Sequence, residues 1–228
     1  LGNDARIFSI FFNFFLNPRN EKSIRLEDCS SNEILKIINE FENGKASDIP
    51  ISVVKKSSHV IAPVLSNYFN ILMSKGLFPD VLKTGKITPV YKKGNPEEIE
   101  NYRPISTLPV FGKIFEKLIY SRIYGFVSSQ GVLSKTQFGF RKSHSTSHAV
   151  NYSVDLITKS LKLKNHVLGI FIDLSKAFDT IDHSTLLVKL EGCGVRGVAN
   201  NLIKSYLTNR QQYTEVVGEK SDTLSIQF

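Results

Sequence analysis

The residues best suited to chemistry lie in the stretch VLGIFIDLSKAFDTIDH, residues 167–183. Its early part, 168–172, is a short apolar run with β-branched and aromatic members, a pattern that predicts a buried strand. The run ends at Asp173, whose carboxylate is costly at the end of a buried strand unless a partner or a metal ion compensates it. Residues 174–179 then have the character of a turn. Strand, acid and turn together can hold a divalent cation and a molecule bound to it.

The residues alone leave two other interpretations of Asp173 open. The first is an acid at the end of a strand that caps the following turn. The second is the nucleophile of an aspartyl-phosphate phosphatase, which also follows an apolar strand. That class needs a second acid two residues later, where this sequence has Ser175, so the phosphatase is the weakest of the three.

Four blocks of the sequence resemble reverse transcriptases. Residues 171–183, FIDLSKAFDTIDH, are similar to motif A of that family, in the form carried by non-LTR retrotransposons such as the insect jockey elements. The segment 137–146, QFGFRKSHST, resembles the family's second motif, and 100–119, ENYRPISTLPVFGKIFEKLI, resembles its first. GKASDIP at 44–50 resembles a weakened form of the segment upstream of the fingers. Four blocks in the family's order argue against chance agreement.

The resemblance implies two-metal phosphoryl transfer, in which carboxylates hold divalent ions that activate the primer hydroxyl and neutralise phosphate charge. Asp173 is then the first metal-binding aspartate, and the backbone carbonyl of Leu174 is a further ligand. The implied metal is Mg²⁺, with Mn²⁺ as an alternative. The implied partners are an RNA template, a DNA primer and deoxynucleoside triphosphates.

The same motif implies a nucleotide site. Phe178, preceded by Ala177, is expected to pack against the ribose of the incoming nucleotide and to exclude a 2′-hydroxyl, although a core phenylalanine has the same spacing. Ser175 and Lys176 are expected to lie along the triphosphate.

Basic residues of the first two motifs are further candidates. Arg103, in NYRP, is expected to contact the triphosphate, because a guanidinium binds phosphate bidentately and keeps its charge. Lys92 and Lys93 are possible helpers near the tip of the same hairpin, with a solvated turn as the alternative. Arg141 and Lys142 are candidates for template or nucleotide phosphates, with a solvated basic loop as the alternative.

Hydrophobic periodicity and turn residues predict the elements that position these groups. A capping box, Ser30-x-x-Glu33, predicts a helix to about Phe41, and a second helix over 53–74 should kink or break at Pro63. The remaining expectations are strands at 86–91 and 102–108, helices at 110–126, 147–161 and 198–207, a short helix capped by Ser184, and a hairpin of 211–217 with 223–228. This is an α+β pattern without regular βαβ repetition.

The resemblance gives that pattern an architecture: the fingers and partial palm of a right-hand polymerase, with an incomplete palm sheet. The expected divisions are a connector at 1–48, fingers with the first two motifs at 49–165, and a partial palm with motif A at 166–228.

Composition agrees with a nucleic-acid partner but does not require one. The 228 residues carry a net charge of +8, which favours a polyanionic ligand. Two distant cysteines, Cys29 and Cys193, indicate a reducing compartment and no zinc site. The apolar run 7–16 is too short to span a bilayer, and Asp4 before it argues against a signal peptide. We expect an intracellular protein of the nucleus or cytoplasm, held in an RNA–protein particle.

The sequence also lacks features of a complete polymerase. The family's second and third catalytic aspartates stand together downstream, but no Asp-Asp pair and no Gly-x-Pro-Gln-Gly motif occur in these residues. Whether the chain is an enzyme is therefore open. The first hypothesis is a fragment of an RNA-directed DNA polymerase that is inactive alone, and the alternative is a nucleic-acid-binding relic without chemistry. An incomplete palm predicts exposed apolar surface and marginal solubility.

Overall fold

The computed structural model describes residues 20–44, 46–174 and 181–226. Within these ranges it mixes helices and strands, which agrees with the predicted α+β class. The helices are α1 Ser31–Asn39, α2 Ile51–Lys56, α3 Ser58–Lys75, α4 Val110–Ser129, α5 Thr146–Lys162, α6 His183–Gly192 and α7 Val198–Leu207. The strands are β1 Thr84–Tyr91, β2 Tyr102–Thr107, β3 Gln211–Val216, β4 Glu219–Lys220 and β5 Leu224–Ser225.

The buried core has members from α1, α2, α3, α4, α6 and α7, and a row of aromatic rings crosses it from α3 through α4 to α7. Helix α4 provides much of it, because its apolar residues recur at helical spacing and are almost fully buried: Ile114, Phe115, Leu118, Ile119 and Ile123. The ring of Phe115 stacks on Phe69 of α3 with 4.6 Å between centroids and on Phe78 with 5.2 Å. Phe78 in turn meets Tyr206 of α7 edge-on at 5.0 Å. This aromatic row joins the three helices.

The sheet has the strand order β2-β1-β3-β4, with β5 paired to β3. Strands β1 and β2 form the predicted antiparallel hairpin, in a register that runs from Tyr91 opposite Tyr102 to Lys86 opposite Thr107. Strand β3 pairs antiparallel with β4 and β5, which confirms the predicted C-terminal hairpin. Its parallel pairing with β1, in which Thr84 lies beside Gln211, was not predicted.

The predicted capping box at the start of α1 is half right. The Ser30 hydroxyl accepts a hydrogen bond from the Glu33 backbone N–H at 3.2 Å. The Glu33 side chain, however, binds the guanidinium of Arg122 through two contacts of 2.7 Å. Arg122, which lies on α4, also donates to the carbonyl oxygens of Glu27 and Asp28. The Glu33 carboxylate therefore ties α1 to α4 instead of completing the capping box.

The predicted second helix is interrupted at a different place. Helices α2 and α3 are separated at Ser57, and α3 continues past Pro63. The Ser57 hydroxyl donates to the carbonyl of Val53 at 2.8 Å, a local bond that competes with the regular helical pattern. The interruption therefore lies at a serine, six positions before the proline.

The predicted buried strand at 168–172 is wrong in this structure. Those residues are not in a strand, and Ile170 and Phe171 are 76% and 99% exposed. A strand needs a neighbour for its backbone groups and a layer that covers its side chains. Among the described residues, no strand pairs with this segment.

The predicted helix at 147–161 does form, as α5, but no residue of it is buried. Its apolar residues Val150, Val154, Ile157 and Leu161 are 42–60% exposed.

No helix in the described ranges is long and apolar enough to cross a membrane.

Gly194, just after α6, has no room for a side chain. Its φ is +98°, and an added Cβ would collide with the carbonyl oxygen of Lys22. We expect Gly194→Ala to lower the free energy of unfolding by about 2–4 kcal/mol, since it combines backbone strain with overpacking. Urea denaturation followed by circular dichroism measures the change.

Gly192→Ala is the matched control. Gly192 is the last residue of α6 and has no atom within 4 Å of an added Cβ, so alanine there should be neutral or slightly stabilising. Equal effects of the two substitutions would contradict the prediction.

Candidate functional site

The hairpin of β1 and β2 positions the basic candidates of the first motif. Arg103 lies opposite Val90, close to the loop that connects the two strands, with its side chain exposed. Lys92 and Lys93 follow β1 and are exposed as well. The tip is held by hydrogen bonds: the Tyr91 hydroxyl donates to the Gly94 carbonyl at 2.6 Å, and the Lys92 N–H donates to the Asn101 carbonyl at 2.8 Å. All three cations are thus solvent-accessible on an ordered hairpin.

One face of the sheet carries Arg103 together with residues from three strands. Because side chains alternate along a strand and paired residues share a face, the register defines this set. We call it the Arg103 face. Its members are Lys86, Thr88 and Val90 of β1, Arg103, Ile105 and Thr107 of β2, and Tyr213 and Glu215 of β3.

A cavity of about 460 Å³ lies on the Arg103 face. Its walls include Lys86, Thr88, Thr107, Tyr213 and Glu215. Lys86 and Glu215 form an ion pair across β1 and β3, with Nζ and Oε1 2.8 Å apart, and their side chains are 38% and 33% exposed. The pair presents charged hydrogen-bonding groups to solvent inside a concave surface.

The segment 46–48, from the block upstream of the fingers, forms another wall of the cavity. Asp48 Oδ1 accepts a hydrogen bond of 2.7 Å from the Val110 N–H at the start of α4. Pro109, the N-cap residue of α4, provides no side-chain cap, so Asp48 supplies it from elsewhere in the chain. Lys113 Nζ donates to the carbonyl of Ala46 at 2.7 Å. These two bonds fix the segment beside the sheet.

The candidates of the second motif lie in a separate loop. Arg141 is half-buried, and its Nη1 donates to the Ser134 carbonyl at 2.9 Å. The Lys142 N–H donates to the Tyr124 hydroxyl at 3.1 Å, while its side chain is exposed. The Arg141 guanidinium therefore closes the loop, and a phosphate role for either residue stays a prediction.

Motif A is described only in part. Asp173 and Leu174 are exposed and lie outside helices and strands. Ser175, Lys176, Ala177 and Phe178 lie outside the described residues. Within the described ranges, no three side chains of the histidine, cysteine or acidic type converge as metal ligands would. The catalytic and nucleotide-binding roles of this motif stay predictions.

Asp182 belongs to the start of α6. It is the N-cap itself, in place of the predicted Ser184. The Ser184 hydroxyl and the Thr185 N–H donate to Asp182 Oδ1 at 2.6 and 2.7 Å, and these hydrogen bonds, that of Ser184 first, lower the pKa of Asp182 to about 2. Burial lowers the pKa of the adjacent His183.

The sequence analysis did not identify four residues that line the cavity: Asp48, Lys86, Tyr213 and Glu215. The Lys86–Glu215 pair spans 129 positions, so no local spacing relates its members. The only available signal was the alternation of side chains along each strand, which places Lys86 on the same face as Arg103 once β1 and β2 are paired.

Known proteins are similar to most of this chain. Residues 90–225 match the family described as reverse transcriptase (RNA-dependent DNA polymerase). The RNA-directed DNA polymerase from mobile element jockey of Drosophila melanogaster is 33% identical over 158 residues, which cover 69% of this chain and 17% of that protein. The probable RNA-directed DNA polymerase from transposon X-element of the same species is 36% identical over 144 residues, 63% of this chain and 16% of that protein. The chain spans about a sixth of the length of these relatives.

Proposed function

This chain belongs to the reverse transcriptase (RNA-dependent DNA polymerase) family, and from that membership we propose that it is a fragment of a retrotransposon polymerase. The family match over residues 90–225 carries the proposal, because it includes Arg103, the whole of β2 and Asp173. The complete enzyme would extend a DNA primer along an RNA template with deoxynucleoside triphosphates. In this proposal, 1–48 is a connector, 49–165 the fingers and 166–228 part of the palm, within an intracellular RNA–protein particle.

Asp173 is the proposed metal ligand. Its carboxylate is exposed and makes no hydrogen bond among the described residues, so it is available as an oxygen ligand for Mg²⁺ or Mn²⁺. The Leu174 carbonyl is the proposed second ligand. When bound, the metal would polarise phosphate oxygens and activate the primer hydroxyl. Phe178 is proposed to select deoxyribose, with Ser175, Lys176 and Ala177 along the nucleotide.

We further propose that the chain alone does not polymerise DNA. Two-metal chemistry needs several carboxylates, and the family's adjacent pair of aspartates does not occur in these 228 residues. Binding is the activity that the chain offers by itself. Arg103, Lys92 and Lys93 are proposed to bind the triphosphate, and Arg141 and Lys142 nucleic-acid phosphates.

Arg103→Gln tests the nucleotide site. We expect it to weaken the binding of a deoxynucleoside triphosphate by about tenfold or more, because a charge-assisted bond to phosphate is lost. Isothermal titration calorimetry on the full chain in Mg²⁺-containing buffer measures the dissociation constant.

Arg25→Gln is the matched control, since Arg25 is exposed before α1, outside the matched region. Both variants lose one positive charge, so a loss confined to Arg103→Gln assigns the effect to the hairpin. Equal weakening, or no nucleotide binding by the unsubstituted chain, would contradict the proposed site.

A further inference from the structure

The cavity on the Arg103 face has an unexpected charge balance for a protein of net charge +8. Its charged lining residues are one cation, Lys86, and two carboxylates, those of Asp48 and Glu215. A phosphate group in this cavity would meet more negative than positive charge, and the ammonium of Lys86 is already paired. The cavity is therefore unsuited to an anion, although the hairpin beside it is basic.

The same lining suits a neutral, planar group with hydrogen-bond donors. Tyr213 provides aromatic surface, and its ring is held by the Lys220 ammonium, 4.0 Å from the centroid. Thr84, Thr88 and Thr107 add hydroxyls that can donate or accept. A volume of about 460 Å³ lies within the usual range of ligand pockets, about 300–1,000 Å³. A nucleobase combines these properties, and aromatic side chains commonly stack on unpaired bases.

The hairpin places the guanidinium of Arg103, the proposed phosphate-binding group, next to this cavity. Thr88 lines the cavity, and Val90, the residue paired with Arg103, lies two positions further along β1. Two residues of a strand span about 7 Å. A nucleic-acid strand that crosses the Arg103 face would thus keep its phosphates near the basic hairpin while one base reaches the cavity.

We propose that this cavity binds one unpaired base of single-stranded nucleic acid and that Glu215 selects bases with an exocyclic amine. The inference rests on the proposed function, because a retrotransposon polymerase of that kind is what would bring a single-stranded RNA template to this chain. Glu215 Oε1 is paired with Lys86, and Oε2 makes no hydrogen bond within the described ranges. A carboxylate oxygen accepts from the amines of cytosine and adenine. Uracil has no such amine and offers a carbonyl oxygen, which a carboxylate repels.

Fluorescence anisotropy with labelled ten-nucleotide RNAs tests the proposal on the full chain at low salt. We expect oligo(C) and oligo(A) to bind about fivefold more tightly than oligo(U), the effect of one hydrogen bond to a partly exposed carboxylate. Glu215→Gln should reduce this preference to about twofold or less, since an amide can also donate to the uracil carbonyl. The three RNAs differ in how strongly their own bases stack before binding. That difference is the same for every protein variant, so it cancels when each variant is compared with the unsubstituted chain.

Glu219→Gln is the matched control. Glu219 is exposed on β4, next to β3, and does not line the cavity, so it makes the same change in net charge without touching the base. The control should keep the fivefold preference and bind all three RNAs slightly more tightly. Circular dichroism melting verifies that both variants are folded.

The outcomes separate the two proposals. Binding of all three RNAs with equal affinity, or the same base preference in Glu215→Gln and Glu219→Gln, overturns the base cavity and leaves the proposed function standing. No binding of any RNA overturns the proposed function, and the base cavity with it. Loss of the preference in Glu215→Gln alone supports the inference.

Discussion

Substituting Asp173→Asn is expected to abolish DNA synthesis once this chain is joined to the rest of a polymerase. The test protein is a fusion in which the downstream polymerase segment of the jockey relative follows residue 228. In that fusion we expect Asp173→Asn to lower primer extension on an RNA template by about a thousandfold or more, because a neutral amide replaces the carboxylate that is proposed to hold the metal. Incorporation of labelled deoxynucleotides with Mg²⁺ measures the rate.

Asp182→Asn is the control for this prediction. It is the same chemical change nine positions later, and asparagine caps helices as well as aspartate does, so α6 should keep its start and the fusion its activity. If the unsubstituted fusion is inactive while the complete jockey protein extends the primer, the polymerase proposal fails. The alternative, a nucleic-acid-binding relic, would then be favoured.

The second large effect concerns stability. We expect Phe115→Ala to lower the free energy of unfolding by about 3–5 kcal/mol, the usual cost of removing a fully buried aromatic ring. Phe115 is 0% exposed and lies between Phe69 and Phe78, so its loss interrupts the aromatic row between α3, α4 and α7. Urea denaturation followed by far-ultraviolet circular dichroism gives the change through the midpoint and slope.

Phe111→Ala provides the comparison on the same helix. Phe111 is only partly buried where it packs against the core, so its removal leaves a smaller cavity and should cost less than half as much. If Phe111→Ala were as destabilising as Phe115→Ala, the aromatic row would not be the centre of the core.

Local signals in the sequence predicted much of the fold. Helix α7 has the predicted bounds, 198–207, and the β1–β2 hairpin was expected from two β-rich runs around Gly94. In both cases the periodicity and the terminating residues lie within about twenty positions of each other. The same local signals placed Arg103 on the second strand of that hairpin.

Errors and omissions arose where distant residues decide the outcome. The apolar run 168–172 indicates suitability for burial, but it cannot show whether a neighbouring strand is present to cover it. Asp48 caps α4 across 62 positions, and the walls of the cavity meet only when β1 pairs with β3. Glu33 was assigned to a local box because Arg122, its actual partner, lies 89 positions away.

Residues 134–174 lie outside the buried core, so substitutions there can change a binding site without unfolding the protein. No residue of that stretch is buried, although it contains the proposed metal ligand and the loop of Arg141. Opening of this stretch therefore disrupts few core contacts, and its amide hydrogens should exchange far faster than those of α4. Substitutions there carry little folding penalty, so they should leave the free energy of global unfolding, and with it the abundance of the protein in a cell, nearly unchanged. Abundance would consequently say nothing about whether the proposed metal site survives.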